Sequence, residues 1–368
     1  MGLHCALAED DQNDVSALAV DALGTAVSIA APPPVLAELR TVVADLPPAK
    51  GGDRELALRP TERGFDLWDD GHLVRQGIDP SVAVATVIWR LNAIAGESTE
   101  HVLLHAACVA GPSGGAVLLP GGPGVGKSTL TAACLRAGLS YLSDELAAVD
   151  RRTGTITPYA KPLGLSAELL VPASSLGPVA AGPTAPAALV FPRYEPGADV
   201  SEVPLDARWA LLALAAHATN LGVLGRPALA WLAGVALACP ASQLTYGDAT
   251  QAVAAVERAS RASDRPVAPV DVLAPVTDAT TTVALGDGLA VLHQPSGKIH
   301  VLNPAAAAVW RRAAAAGLGG GRNPGDAGLV EAVLLAADEA DLDRSTVSAT
   351  IGRLLRAGLL GASVPAGS

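Results

Sequence analysis

The sequence predicts an α/β core built around a phosphate-binding loop, with a small, mostly β lobe before it and a module of strands and helices after it. Three observations carry that expectation. A glycine-rich loop, Gly121 to Ser128, stands between a strand-like apolar run and a helical segment. Short apolar runs broken by turn residues fill the first hundred positions. A proline-rich joint, Asp264-Arg265-Pro266-Val267-Ala268-Pro269, sets off the last hundred. With 368 residues the chain is long enough for more than one domain and for a core without disulfide or metal staples. The expected division is 1–97 for the first lobe, 98–262 for the core, 263–270 for a linker and 271–368 for the last module.

The elements follow in order. Runs at 17–20, 26–30, 55–58 and 65–68 read as strands, with Asp69-Asp70-Gly71 as a turn and 81–95 as a helix. Ala116-Val117-Leu118-Leu119 is a strand entering the glycine loop, and 128–137 is a helix ended by Gly138. Leu139-Ser140-Tyr141-Leu142-Ser143 is the next strand, expected to run beside the first in a parallel sheet. Beyond the joint, turns at Gly286-Asp287-Gly288 and 294–297 separate three short strands. Helices are expected at 304–315, 327–337 and 345–357, with a loop over 317–325. The last helix carries Val347, Ile351, Leu354 and Leu355 on one stripe, with Gly358 as its C-cap. A cut after Ser263 is expected to leave the core intact.

Composition narrows the function. The formal net charge is −11, which argues against a protein that grips nucleic acid, since phosphate contacts need clustered cations. Aromatics make up only 3%, so alanine and small aliphatic residues must do the packing. Cys5, Cys108, Cys134 and Cys239 form no C-x-x-C pair, which suits a reducing compartment. The first residues lack the basic and apolar regions of a signal peptide. The most apolar stretch, 209–239, is interrupted by His217, Asn220, Arg226 and Pro227 and is not expected to span a membrane. A cytoplasmic protein is the expectation.

Gly121-Gly122-Pro123-Gly124-Val125-Gly126-Lys127-Ser128 fits G-x-x-x-x-G-K-[ST] throughout. Glycines let successive backbone N–H groups turn inward around phosphate oxygens, and the following helix adds its N-terminal partial charge. Lys127 then reaches the β- and γ-phosphates, the Ser128 hydroxyl ligates Mg²⁺, and Thr129 extends the phosphate-binding set. The adjacent acids Asp144 and Glu145 end the next strand. One carboxylate suits Mg²⁺ and the other suits a hydroxyl proton; the plainer alternative is a solvated acidic turn. His101 and His105 have i, i+4 spacing, but in strand-like surroundings without a following Glu they do not suggest zinc. A hairpin would bring His105 near the loop; the alternative is a half-buried histidine at a strand end.

Leu104-His105-Ala106, the loop itself and Gly138 to Glu145 together resemble the HPr kinase/phosphorylase superfamily. That resemblance implies an α/β P-loop kinase core, ATP and Mg²⁺ at Lys127 and Ser128, Asp144 as a metal ligand, an activating role for His105, and a base in the acidic pair. By register the base falls on Glu145, where the family has Asp, so the two acids are treated as a unit. Pro158-Tyr159-Ala160-Lys161-Pro162-Leu163 resembles a segment of the smaller HPr-kinase-like proteins, in which Lys161 would contact phosphate. The family's Leu-Glu-x-Arg-Gly stretch is not recognisable, although Glu168 lies near that distance. Homo-oligomerisation is a family habit.

Leu289 to His293, and Gly297 to Ala306 with its Leu302-Asn303-Pro304-x-Ala306 entry to a helix, resemble the PqqD-like winged-helix domain. That domain binds the leaders of ribosomally made precursor peptides. The resemblance implies a leader strand added beside the third strand and against the last helix. A DNA-binding winged helix is the alternative, but the last helix offers only Arg353 and Arg356 as cations. The expected function is an ATP-dependent kinase for a Ser or Thr hydroxyl of a precursor peptide held on 271–368. A nucleotide-regulated peptide chaperone is the second reading.

Overall fold

The computed structural model describes residues 17–112, 114–165, 169–263, 265–273, 280–294, 296–315, 344–357 and 359. Glu168, Gly358, the expected helix at 327–337 and the expected loop at 317–325 lie outside them. The first lobe runs β1 (Ala17–Ala22), β2 (Thr25–Ala30), α1 (Pro33–Val42), β3 (Arg54–Thr61), β4 (Gly64–Asp69), β5 (His72–Ile78) and α2 (Ala83–Ala95). The strands form one sheet in sequence order, antiparallel except where α1 carries the chain across to make β2 and β3 parallel. Val84, Val87, Ile88, Leu91, Ile94 and Ala95 recur at helical spacing on α2, and all are buried against α1 and the sheet.

A buried acid ties this lobe together. Asp69 accepts from Arg54 through both oxygens, at 2.6 and 2.9 Å, and also from Arg90 of α2. Burial pushes its carboxyl upward, but the two guanidinium groups outweigh that and hold it below the usual carboxylate range.

The core continues with β6 (His101–Leu104), β7 (Ala106–Ala110), β8 (Ala116–Pro120), α3 (Lys127–Arg136), β9 (Ser140–Ser143), β10 (Ala147–Asp150), β11 (Ile156–Thr157), β12 (Leu163–Gly164) and β13 (Leu170–Val171). Then come β14 (Pro186–Tyr194), β15 (Ser201–Leu205), α4 (Ala207–His217), α5 (Leu221–Leu224), α6 (Arg226–Ala238), β16 (Ala241–Tyr246) and α7 (Ala249–Ala259). The main sheet has the order β15-β16-β14-β8-β7-β9, with β8, β14 and β16 mutually parallel. Here the expected strand order is corrected. β9 does not lie beside β8, because the antiparallel hairpin partner β7 sits between them. Two antiparallel steps still leave β8 and β9 pointing the same way, so both end at one edge.

Strand pleating divides the core residues between two faces. Val117 and Leu119 meet Leu130 and Cys134 of α3 and Val253 and Val256 of α7. Leu118, Leu189 and Phe191 meet Leu211 and Leu214 of α4 and Leu229 and Leu232 of α6. The apolar stretch 209–239 is thus three helices, with Pro227 in the first turn of α6. Among the described residues no helix is long and apolar enough to cross a membrane.

The last module is a sheet β17-β18-β19-β20, from β17 (Val272–Leu273), β18 (Thr280–Leu285), β19 (Gly288–His293) and β20 (Lys298–Leu302), followed by α8 (Pro304–Ala315) and α9 (Arg344–Arg356). Leu289, Val291 and Leu302 face Trp310 of α8 and Val347, Ile351 and Leu354 of α9. The opposite side is not solvent. Val283, Leu285, Ala290 and Leu292 join the α4/α6 core. The stretch before this module is a packed strap. Val267 is buried in that same core, the Val270 N–H bonds to the Ala230 carbonyl at 3.1 Å, and Ala268 lies so close to α6 that a Cβ on Gly234 would stand 2.0 Å from its oxygen.

A cut after Ser263 therefore uncovers an apolar helical layer rather than leaving the core intact. The shortened chain should melt well below the full-length protein and bind a dye for exposed apolar surface; an unchanged melting temperature would contradict the shared core. Within the first lobe, Asp69→Ala leaves two guanidinium groups without their carboxylate and should cost about 3 kcal/mol. Because its native pKa is depressed, the Asp69 contribution is full above the unfolded-state value of about 3.9 and is lost as pH falls through the lower native value. Denaturant melts of both proteins from pH 7 down to pH 2 should converge at the acid end.

Candidate functional site

The glycine loop follows the carboxyl end of β8 and feeds α3, whose N-cap is Gly126 in the left-handed region at φ +94°. Only glycine suits this position twice over, since a Cβ there would also stand 2.5 Å from the Tyr246 hydroxyl. That hydroxyl donates to the Gly126 carbonyl at 3.2 Å and braces the loop from β16. Lys127 is buried and its ammonium donates to the carbonyls of Gly121 and Gly122 at 2.7 and 2.8 Å. Burial lowers its pKa, opposed by Asp144 and Glu145.

β9 delivers the acids into two different environments. Asp144 is buried, and its Oδ2 accepts from the Ser128 hydroxyl at 3.0 Å. Its Oδ1 is buried with no hydrogen-bond donor among the described residues. Desolvation raises its pKa, with Lys161 and Ser128 pulling the other way. Glu145 is half-exposed and held by the Asn92 amide of α2 at 3.1 Å and by the Lys161 ammonium at 3.2 Å. Lys161 thus reaches the acids, standing 3.9 Å from Asp144 Oδ2. Asn92 also accepts from the Tyr159 hydroxyl at 3.0 Å, so the first lobe helps to aim Glu145.

His105 is the single residue between β6 and β7, where the chain leaves the small sheet β11-β10-β6 and enters the main one. The β7–β8 hairpin does bring it to the loop, with Ala106 opposite Pro120. Burial, then Lys127, lowers its pKa, favouring neutral imidazole. His101 goes elsewhere, its two ring nitrogens 3.0 Å from the hydroxyls of Ser98 and Thr157. Among the described residues no group of three or more His, Cys, Asp or Glu is placed to hold a metal by itself.

His105, Gly124, Gly126, Lys127, Ser128, Thr129, Asp144 and Glu145 share one open cleft of about 960 Å³. Its other wall is made by Tyr194, Tyr246, Gly247 and Asp248. No protein-family model matches the chain, and no curated protein matches it. The site is therefore read from its chemistry. Backbone N–H groups at a helix start, a lysine, a hydroxyl and a buried carboxylate are groups that could hold a phosphate chain and a hard divalent cation.

Several residues here carry little sequence signal. His217 ends α4, its carbonyl accepts the His105 N–H at 2.7 Å, and the two rings meet edge-on at 6.4 Å. In the sequence it is only an interruption of an apolar stretch, as Asn92 is of an apolar helix. Tyr194 and Tyr246 are brought in by sheet order. A second groove, about 480 Å³, opens between β20 and α9 and is lined by Ile299, Val301, Asn303, Thr350, Leu354 and, from α4, Leu212. β20 is the outermost strand of its sheet.

Gly126→Ala tests the loop geometry. The substitution strains a left-handed position at a cost of about 1–3 kcal/mol and collides with Tyr246, so the variant should melt below the wild type. Any affinity for nucleotide, read by titration calorimetry, should fall by about ten-fold. The adjoining Gly126→Ala, Tyr246→Phe double variant should recover little, because the backbone strain persists.

Proposed function

We propose that this protein is an ATP-dependent kinase that phosphorylates a Ser or Thr hydroxyl of a ribosomally made precursor peptide, with the leader held on 271–368. The observation that carries the reading is the convergence of Lys127, Ser128, Asp144, Glu145 and His105 on one cleft. The residues suit Mg²⁺, since the Ser128 hydroxyl and the donor-free Asp144 oxygen are hard ligands side by side. When bound, the ion neutralises phosphate charge.

The chain's own groups divide the remaining work. Lys127 offsets the charge of the β- and γ-oxygens from the floor of the cleft. Glu145, half-exposed at the cleft edge, accepts the acceptor hydroxyl proton, and Asn92 and Lys161 fix its direction. His105, neutral at pH 7, lines the same side without adding a competing charge. The groove beside β20 supports the peptide half of the reading, because an edge strand offers backbone donors and acceptors to an added strand. Tethering the leader there raises the local concentration of the acceptor.

One contact favours the chaperone reading, in which nucleotide acts as a switch: the Glu145–Lys161 ion pair at 3.2 Å occupies the expected base. Transfer of label from the γ-phosphate separates the two. With the precursor peptide, label should appear on a Ser or Thr, and Lys127→Ala should abolish it. Glu145→Gln should cut turnover by about 10² to 10⁴ with nucleotide affinity kept, and Asp144→Asn should raise the Mg²⁺ requirement. Peptide that never acquires label, despite ATP binding, would leave the chaperone.

A further inference from the structure

The cleft has two walls of different character. On the β7/β9 side stand His105, Asp144 and Glu145, all polar or charged. On the β14/β16 side stand two tyrosines, set opposite each other at the carboxyl ends of parallel strands, Tyr194 facing Tyr246 in the register. Crevices outside the carboxyl ends of parallel strands are where such sheets take their ligands. Tyr246 is fully buried and spends its hydroxyl on the Gly126 carbonyl. Burial pushes that hydroxyl up to about 12, so it stays a donor. Tyr194 leans on it at 6.1 Å between ring centroids, yet keeps 48% of its surface exposed. It also borders the phosphate loop, because a Cβ at Gly126 would lie 3.2 Å from the Tyr194 Cβ.

Phosphoryl transfer adds a directional constraint. The attacking and leaving oxygens lie roughly in line, so acceptor and nucleoside must extend to opposite sides of the transferred group. The acids and His105 mark the acceptor side. The nucleoside is then directed to the other wall, where the exposed face in reach of the loop is aromatic.

We propose that the β14/β16 wall is the nucleobase subsite, with Tyr194 as a stacking platform for a purine base and Tyr246 as its rigid backing. This rests on phosphate binding at 121–128 and, for the side to which the nucleoside extends, on the kinase reading proposed above. Stacking tolerates different bases because each presents a π-face, and a purine covers more of the ring than a pyrimidine does. Asp248 contributes less, since its carboxylate already caps α7 by accepting the Thr250 N–H at 2.8 Å.

Binding of ATP, GTP, CTP and inorganic tripolyphosphate, each with Mg²⁺, to the full chain separates the base from the phosphates. The wild-type protein should bind ATP and GTP more tightly than CTP, and all three more tightly than tripolyphosphate. Tyr194→Ala, at a half-exposed position that the core does not need, should weaken ATP by about ten-fold and leave tripolyphosphate unchanged. Tyr194→Phe should restore ATP affinity. Equal losses for ATP and tripolyphosphate, or no loss for either, would overturn the subsite while leaving the phosphate loop standing. A wild-type protein that binds neither ATP nor tripolyphosphate would overturn both.

Discussion

A buried amide holds the architecture around the site. β6 is the outer strand of its small sheet, and its free backbone edge lies inside the protein, where each unsatisfied group would cost about 1–3 kcal/mol. Asn220 answers this with its whole side chain. Its Oδ1 accepts the Leu103 N–H at 3.0 Å, and its Nδ2 donates to the His101 and Ser98 carbonyls at 2.8 and 3.2 Å. The neighbouring backbone completes the edge, with Thr219 bonding to Leu103 and the Leu104–Ala218 bridge beside it. The 217–220 segment thus serves β6 as one more strand. It fixes where β6 ends, and so where His105 and His217 stand.

From that anchor the site draws on parts of the chain that look separate in sequence. The first lobe contributes Asn92, which aims Glu145. The hairpin contributes the floor, and the 158–163 segment contributes Lys161. Among the described residues the last module adds none to the cleft, but its sheet covers α4 and α6, which back the main sheet. The ion pair Arg208–Asp287 at 2.5 Å marks the same boundary on the surface. Such shared packing makes the module a wall of the core as well as a candidate peptide holder.

How far the sequence reveals this depends on the range of the interactions. The loop 121–128, its strand and its helix are legible because glycine conformations, a lysine and helix capping act within a dozen residues. The stripe Val347, Ile351 and Leu354 is legible for the same reason, and its three side chains are buried. The insertion of β7 between β8 and β9 is not, because alternation along a strand says nothing about its neighbour. The stretch 263–270 reads as a linker from its prolines. What packs it onto α6 is Gly234, some thirty positions away, whose lack of a side chain admits the strap. Asn92, Asn220 and His217 look like polar blemishes in apolar runs. Their partners are set by tertiary contact alone.

Helix α4 has a geometric consequence of its own. Leu212 lines the β20 groove and His217 sits against His105, five residues later on the same rigid element. At about 1.5 Å per residue, that separation is about 7.5 Å along the helix axis. At about 3.6 residues per turn the two positions also stand about 140° apart around the axis, so Leu212 and His217 face different sides of the helix. The groove and the His105–His217 contact therefore lie on different sides of one rigid element, and a displacement of α4 at either one is carried to the other.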